Sequence, residues 1–430
     1  MSIKESLRPF IPKKIFKFFQ PAYHYILAFL GALYYGFPSR KLRVVAITGT
    51  KGKTSTAEMI NAILEEAGYK TALSGSLRFK IGDKSELNHF GMSMPGLSYL
   101  QNFLRKAVNE KCDWAVIEMT SEGAKQFRHK FIYLDAFVFT NLAPEHIESH
   151  GSFEKYSEHK QRIAKLLSES SKKRRVAIIN SDDKAVNFFV PKKATEIIRY
   201  SLENAKPFVS DQNGITLHYK GVTIHSPLKG EYNVSNLVAA ISFAEAFGIE
   251  LPIISRGISN LSVIRGRGEH VKINQQPTTS NQQRKQDFDV VVDYAHTIES
   301  LEALYKSFPN QKKICVLGNT GGGRDTWKRP GMAKVVDIYC DEIILTTEDP
   351  YDEDPKHIIN DMMPGISRHI PKIVIDRREA IKEAIKIAKP NDVILITGMG
   401  SQQYMCVASG KKIPWDDARV ANEELGKVLK

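Results

Sequence analysis

The sequence predicts an α/β protein with mainly parallel sheets, and three observations carry that expectation. First, residues 42–60 (LRVVAITGTKGKTSTAEMI) run an apolar strand into a Gly/Lys loop and then into a helical pattern. Second, DWAVIEM (113–119), LDAFVFTNL (134–142) and RRVAIIN (174–180) read as buried strands separated by helical stretches. Strands that alternate with helices of about ten residues or more pair in parallel beneath helical covers. Third, the alternation restarts near residue 287 with DFDVVVDYA, KKICVLGN, DEIILTTE, PKIVIDR and NDVILITGMG.

The two series divide the chain at about residues 262–266. This gives a short basic and aromatic segment over 1–41, a central domain over 42–263 and a C-terminal domain over 264–430. Between the series, residues 273–287 (INQQPTTSNQQRKQD) are polar and Gln-rich and read as an exposed hairpin tip or loop. A length of 430 residues suits two or three domains. No internal repeat is apparent.

Composition narrows the classes. Apolar residues make up 42% and charged residues 25%, ordinary values for a soluble protein with packed cores. The net charge is +13, from 61 Lys and Arg against 48 Asp and Glu. An anionic substrate or a membrane surface accounts for this as well as nucleic acid does. No basic run interleaved with aromatics resembles an RNA-binding signature, so no nucleic-acid partner is expected. The four cysteines (Cys112, Cys315, Cys340, Cys406) are scattered without a CxxC pair. They read as reduced cytosolic thiols, neither a zinc site nor a disulfide framework.

Residues 1–17 carry Lys4, Arg8, Lys13, Lys14 and Lys17, and Phe18–Phe37 is almost wholly apolar and aromatic. This imitates a signal peptide, but no small-residue cleavage site precedes the strand at 42. Pro21, His24 and four tyrosines make it a poor spanning helix. Two readings stand: a helix at a membrane interface, or one packed on the nucleotide-binding domain. The expected location is accordingly the cytoplasm, with peripheral membrane contact through residues 1–40 in the first reading and none required in the second.

The loop Gly49-Thr50-Lys51-Gly52-Lys53-Thr54-Ser55 carries the first chemical signal. A helix beginning at such a turn leaves backbone N–H groups pointing into the loop. With the helix dipole and the Lys53 ammonium, these form a polyphosphate site. Thr54 supplies a hydroxyl where a Mg²⁺ between the β- and γ-phosphates needs an oxygen. The full GxxxxGK[ST] pattern wants Gly at 47, where this chain has Ile47. The alternative is a plain glycine turn, but strand, Gly49, Gly52, Lys53 and Thr54 fall in the order that nucleotide triphosphate binding requires.

Ligands of open parallel sheets sit at the carboxyl ends of the strands. Glu118 ends the strand 113–119; Thr140-Asn141-Leu142 ends the next and runs into Pro144-Glu145-His146. A helical pattern, FEKYSEHKQRIAKLL, then carries Lys160. Glu118 and His146, alone, read as structural residues; as a pair at adjacent strand ends beside a phosphate loop, they favour a Mg²⁺ site. Lys160 by itself reads as a solvated surface lysine.

These residues belong to a longer ordered set: ITGTKGKTST, IEMTSEG, FTNLAPEHIESHG with FEKYSEHK, GEYNVSNLVAA, IRGRGEHV, VVDYAHTIESLEAL, GNTGGGRDTWKRP, TTEDPYDEDP and DRREAI. Together they resemble the Mur ligase family over about residues 42–425. The likeness is greatest to the branch that adds the third amino acid to UDP-N-acetylmuramoyl-L-alanyl-D-glutamate in peptidoglycan synthesis. The resemblance implies a P-loop ATPase domain followed by a Rossmann-like C-terminal domain, and an ADP-forming acid–amino-acid ligase working through an acyl phosphate.

The resemblance also implies roles. Lys53 and Thr54 hold phosphates and a first Mg²⁺, with Glu118 nearby; His146 binds a second Mg²⁺; Lys160 matches a lysine carried as a carbamate, which makes it a further metal ligand. Asn233 and Asn236 match adenine contacts, Arg267 and Asp293 a pair near the ribose, and His296 lies in the same nucleotide-facing loop. Ser93, Pro95, Ser121 and Arg128 match residues that hold the muramoyl-peptide. Arg324, Asp349, Tyr351 and Gln402 fall where the incoming amino acid is held. Lys328 and Arg329 read equally well as a solvated helix start.

Three departures from the family pattern stand out. The N-terminal domain that grips the uridine nucleotide is represented by residues 1–41 alone, so a lipid-linked or otherwise different muramoyl-peptide is an alternative acceptor. The diaminopimelate branch has Asp-Asn-Pro-Arg where this chain has Glu348-Asp349-Pro350-Tyr351. A later Gly-Lys-Gly-His-Glu pattern is replaced by Gly398-Met399-Gly400-Ser401-Gln402. The clamp for a distal carboxylate and the partner for a distal ammonium are both missing. Diaminopimelate is thereby disfavoured, and lysine or another amino acid is left open. The same chemistry on a folate- or polyglutamate-like carboxylate, and a P-loop phosphotransferase, are the competing readings.

Overall fold

The structure is a computed structural model that describes residues 13–96, 98–211, 213–272 and 286–428, with side chains from Phe19 onward. The chain forms two compact units. The first holds the chain up to Ala143 with Phe153–Asn204 and Asn236–Gly257; the second holds Pro144–Ser152, Ala205–Ser235 and the chain from Ile258.

The first unit is built on an eight-stranded sheet. Its strands are β1 (Arg43–Thr48), β2 (Thr71–Ser74), β3 (Arg78–Ile81), β4 (Lys84–Leu87), β5 (Trp114–Glu118), β6 (Ala136–Phe139), β7 (Val176–Asn180) and β8 (Glu196–Tyr200). They lie in the order β4-β3-β2-β5-β1-β6-β7-β8. Pairing is parallel from β2 to β8, and the β3–β4 hairpin closes one edge in antiparallel fashion. β1, β5, β6 and β7 are buried on both faces, which is why they read as unbroken apolar runs. β1 lies between β5 and β6, with Ile47 beside Glu118 and Thr48 beside Phe139. The phosphate loop therefore opens between the two strand ends that carry the polar residues.

The second unit contains a separate antiparallel sheet of β9 (Phe208–Asp211), β10 (Gly214–Tyr219) and β11 (Val222–Ser226). Its main sheet has β12 (Glu269–His270), β13 (Asp289–Asp293), β14 (Lys313–Leu317), β15 (Glu342–Leu345), β16 (Lys372–Ile373) and β17 (Val393–Thr397), in the order β12-β13-β17-β14-β15-β16. All but the β12–β13 pair are parallel. A two-stranded ribbon of β18 (Tyr404–Val407) and β19 (Lys411–Pro414) follows. A fully buried ion pair ties this unit's last helices together. Arg377 donates to Asp417 at 2.8 and 2.7 Å and to the Thr397 carbonyl at 2.8 Å.

The expected strands all form, although PKIVIDR shortens to the two residues of β16. The β3–β4, β9–β11 and β18–β19 pairs were not legible, because their short half-exposed strands lack a clear alternation. Of the polar stretch 273–287, residues 273–285 lie outside the described residues, as do Lys4 and Arg8. One expectation is corrected: Cys315 and Cys340 are bonded as a disulfide, 25 residues apart in sequence. Cys315 lies in β14 and Cys340 ends the helix Arg329–Tyr339, and folding brings their Cα atoms to 6.2 Å, within bridging range. No spacing rule reports such a pairing. Cys112 and Cys406 are free.

Candidate active site

Gly52 caps the helix Lys53–Glu66 in the left-handed region (φ 81°), where glycine is favoured. A Cβ there would also sit 2.2 Å from Asn236 Oδ1. The loop is braced by the end of β6. The Thr50 amide donates to the Asn141 carbonyl, the Lys51 amide to Asn141 Oδ1 at 2.8 Å, and Thr140 Oγ1 to the Lys51 carbonyl at 2.6 Å. Lys53 Nζ folds over the loop and donates to the carbonyls of Gly49 and Thr50, each at 2.9 Å. Ser55, the next residue of the helix, is buried.

Glu118 lies where the strand register predicted. Thr54 Oγ1 donates to Glu118 Oε2 at 3.0 Å, and the Ser76 amide donates to Oε1 at 2.8 Å. A Cβ on Gly75 would approach Oε1 to 2.7 Å, so the carboxylate is closely walled. A hydroxyl and a carboxylate meeting at a phosphate loop are hard oxygen donors of the kind Mg²⁺ takes. Among the described residues, no group of three or more His, Cys, Asp or Glu could hold a metal ion. Mg²⁺ usually takes one or two protein oxygens and completes its octahedron with phosphate and water.

Lys160 is not a solvated surface lysine. It is 2% exposed, its Nζ donates to the Gly49 carbonyl at 2.5 Å, and it lies 4.9 Å from the Tyr156 ring centre. Tyr156 Oη in turn meets Thr50 Oγ1 at 3.0 Å. The helix Phe153–Glu169 is thus pinned to the phosphate loop, and two lysine side chains converge on one carbonyl oxygen.

The residues expected to hold the acceptor also cluster. Ser93 and Pro95 are buried on either side of Met94, and Arg128 donates to the Met94 carbonyl and, at 2.7 Å, to Gln126 Oε1. Ser121 is buried at the first position of the short helix Ser121–Lys125. Burial lowers the Arg128 pKa, and among the described residues its Nε has no hydrogen-bond partner. A guanidinium held in that state favours an anionic ligand.

Asn233 and Asn236 occupy one helix, Tyr232–Ala246, but have different surroundings. Asn236 faces the phosphate loop and accepts from Thr56 Oγ1 at 3.3 Å, whereas Asn233 Nδ2 donates to the Lys229 carbonyl at 2.8 Å. In the second unit, Asp293 accepts from the Gly268 and Ala295 amides at 2.6 and 2.7 Å. Arg267 stacks on the Tyr294 ring, 4.4 Å from its centre, beside this carboxylate. His296 lies between the Tyr294 carbonyl (Nδ1, 2.6 Å) and Glu145 Oε1 (Nε2, 2.8 Å). His146 adopts the left-handed conformation (φ 57°), and its amide and that of Ile147 donate to Asp325 at 3.1 and 3.2 Å.

The residues expected to hold the amino acid form a fourth group. Arg324 lies over the Tyr351 ring, 4.6 Å from its centre. Burial pushes the Asp349 carboxyl up, while the Cys406 amide, at 2.6 Å, and Gln402 draw it down. Lys328 and Arg329 are buried rather than solvated. Arg329 donates to Glu353 and Asp361 at 2.6 and 2.7 Å. Sequence reading passed over Glu348, which is buried with its pKa raised by desolvation. Its Oε1 accepts from Thr320 Oγ1 at 2.8 Å, while its Oε2 has no hydrogen-bond partner among the described residues. It also passed over Ser76 and Asp325, whose roles depend on neighbours far away in sequence.

Residues 47–244 match the Mur ligase middle domain, and residues 280–400 match the Mur ligase glutamate ligase domain. The chain belongs to the Mur ligase family. It is similar to the UDP-N-acetylmuramoyl-L-alanyl-D-glutamate–2,6-diaminopimelate ligase of Syntrophomonas wolfei, with 36% identity over 420 residues. The alignment covers 94% of this chain and 82% of that protein. The ligase of the same name from Bacillus cereus is 34% identical over 93% of this chain and 81% of its own length. A solved structure of a ligase of that name matches with a TM-score of 0.59 at 28% identity, over 90% of this chain and 78% of that one. The folylpolyglutamate synthase of Mycobacterium tuberculosis shares the fold alone, with a TM-score of 0.64 at 17% identity over 87% of this chain and 92% of that one. As a Mur ligase, the protein is an ATP-dependent ligase.

Proposed function

We propose that this Mur ligase joins an amino acid to the carboxylate of a UDP-N-acetylmuramoyl-peptide in peptidoglycan synthesis, through an acyl phosphate. The observation that carries this reading is the convergence of Lys53, Thr54, Glu118 and Lys160 at the end of β1. The ATP-binding part would comprise residues 42–263 and the amino-acid-accepting part residues 264–430.

In this reading Lys53 and the loop amides hold the polyphosphate, and the acceptor carboxylate attacks the γ-phosphorus while ADP leaves. The amine of the second substrate then attacks the acyl phosphate, and the tetrahedral adduct loses phosphate and a proton to leave the amide. Two Mg²⁺ ions, when bound, supply charge neutralisation between the anionic phosphate and the anionic carboxylate. Thr54 and Glu118 would hold the first, and His146 and Lys160, as a carbamate formed with CO₂, the second. Burial of Lys160 supports that assignment, because a buried amine reacts more readily than a hydrated ammonium.

Arg128 with Ser93, Pro95 and Ser121 would bind the acceptor. Asn233, Asn236, Arg267, Asp293 and His296 would bind the nucleoside, and Arg324, Asp349, Tyr351 and Gln402 the amino acid. With Tyr351 and neutral Gln402 in the last group, the amino acid is lysine or another residue in preference to diaminopimelate, the substrate in the relatives' names. The enzyme would work in the cytoplasm, with residues 1–40 touching the membrane surface.

Trapping the intermediate tests the chemistry. With ATP, Mg²⁺, UDP-N-acetylmuramoyl-L-Ala-D-Glu and hydroxylamine in place of an amino acid, the account expects an acceptor hydroxamate formed in step with ADP. ADP with a stable phosphorylated product and no hydroxamate would assign a phosphotransferase instead.

A further inference from the structure

The helix Lys13–Tyr34 packs in an inverted sense. A surface helix ordinarily buries its large apolar side chains and turns its polar ones to water. Here the inward positions are His24, Ala28, Gly31 and Ala32, all buried and mostly small. A Cβ on Gly31 would lie 2.8 Å from Ser98 Oγ, so the helix sits close against the first unit. Tyr25 and Phe29 lean on Phe131, with ring centres 5.3 and 5.4 Å apart.

The outward stripe is Phe19, Tyr23, Ile26, Leu30 and Leu33, continued by Tyr34, and these side chains are 43–83% exposed. Their spacing of three and four residues sets them on one face. From Phe18 to Ser39 there is no Asp, Glu, Lys or Arg, whereas five of the six charged residues in 1–17 are basic. On the other flank, Arg40, Lys41 and Arg43 follow, and with Lys172 and a single carboxylate, Asp113, they line an open cavity of about 310 Å³.

We infer that this face is an interfacial membrane anchor that lies in the headgroup region of an anionic bilayer. The inference sharpens the peripheral contact proposed above into a named surface and a lipid chemistry. Among the described residues no helix is long and apolar enough to cross a membrane, so the helix lies on the surface. Exposed Phe, Tyr, Leu and Ile with basic residues on both flanks is the composition of interfacial helices, whose affinity combines apolar insertion with attraction to anionic lipid. Charge decides against a second copy of this chain, because pairing two such stripes sets basic flank near basic flank, with no acidic residue in the stripe to offset them.

The test is co-sedimentation of the full chain with vesicles of phosphatidylglycerol and phosphatidylcholine, compared with phosphatidylcholine alone. The expected result is binding to the anionic vesicles that is roughly tenfold stronger than to neutral ones and that weakens with salt. I26E/L30E should lose it, whereas I370E, at a site exposed in the second unit, should retain it. Unchanged thermal melting and unchanged phosphate release with soluble acceptor in I26E/L30E would show that folding and ligation are intact, so each reading fails or survives separately. Equal sedimentation of wild type and I26E/L30E, or none with anionic vesicles, overturns the inference. So does a lipid-free dimer that I26E/L30E dissolves, which would assign the face to a second copy.

Discussion

The two parallel sheets end differently, and the difference separates chemistry from selection. At the end of β1, Lys53, Thr54, Glu118 and Lys160 are each held by hydrogen bonds to the phosphate loop or to one another. In the proposed function all four serve phosphoryl transfer. At the ends of β14 and β15 lies the group proposed to hold the amino acid: Tyr351 stacks under Arg324, Gln402 is neutral, and Glu348 keeps one buried oxygen with no hydrogen-bond partner among the described residues. In the proposed function phosphoryl transfer precedes the amine's attack, so the first end acts alike whichever amino acid follows. The choice of amine is what can vary.

Substitutions at the two ends should therefore fail in different ways. Lys53→Ala should lower acceptor-dependent phosphate release by about a thousandfold or more, whichever amino acid is offered, since it removes charge stabilisation on the transferring group. Lys160→Ala should lower it about a hundredfold, with part of the rate restored by added short-chain carboxylic acids. Absence of rescue would count against the carbamate. At the other end, Y351R/Q402E should raise the kcat/KM for diaminopimelate relative to lysine by about tenfold or more, with the ATP KM unchanged. A general loss without a change of preference would break the proposed division of labour.

Stability offers two smaller contrasts. Arg377→Met leaves Asp417 as an uncompensated buried charge in the second unit and should cost about 3–5 kcal/mol in chemical denaturation. In the first unit, burial, helped by the nearby Lys130, Arg162 and His159, drops the His129 pKa from 6.5 to about 3. Among the described residues neither ring nitrogen has a hydrogen-bond partner. The folded protein therefore holds His129 neutral while the unfolded chain takes up a proton below pH 6.5. Nothing is lost above that value, and stability falls by roughly 1.4 kcal/mol per pH unit from there down to about pH 3. His129→Leu should flatten that part of the pH–stability curve, as followed by thermal melting.

Much of the first end was legible because it is local. A strand, two glycines, a lysine and a threonine fix the loop, and Glu118 follows once β5 is recognised as a strand ending beside β1. Lys160 was legible only through the family resemblance. Its burial depends on a helix packing back over Gly49, which composition does not report. Ser76, Thr140 and Asn141 brace the site through the register of neighbouring strands, and the Cys315–Cys340 bond likewise arises from tertiary packing. The apolar helix near the N-terminus was visible as a run, but a run without charge has no polar face to show which side meets water. Only packing reveals that the small residues point inward.

The most direct measurement is phosphate release by the purified chain with ATP, Mg²⁺ and UDP-N-acetylmuramoyl-L-Ala-D-Glu across a panel of amino acids, with mass spectrometry of the products. The account predicts release that needs both the acceptor and one amino acid, and an acceptor mass gain equal to that amino acid less water. Silence across the whole panel while ATP still binds would contradict it and direct attention to a different carboxylate.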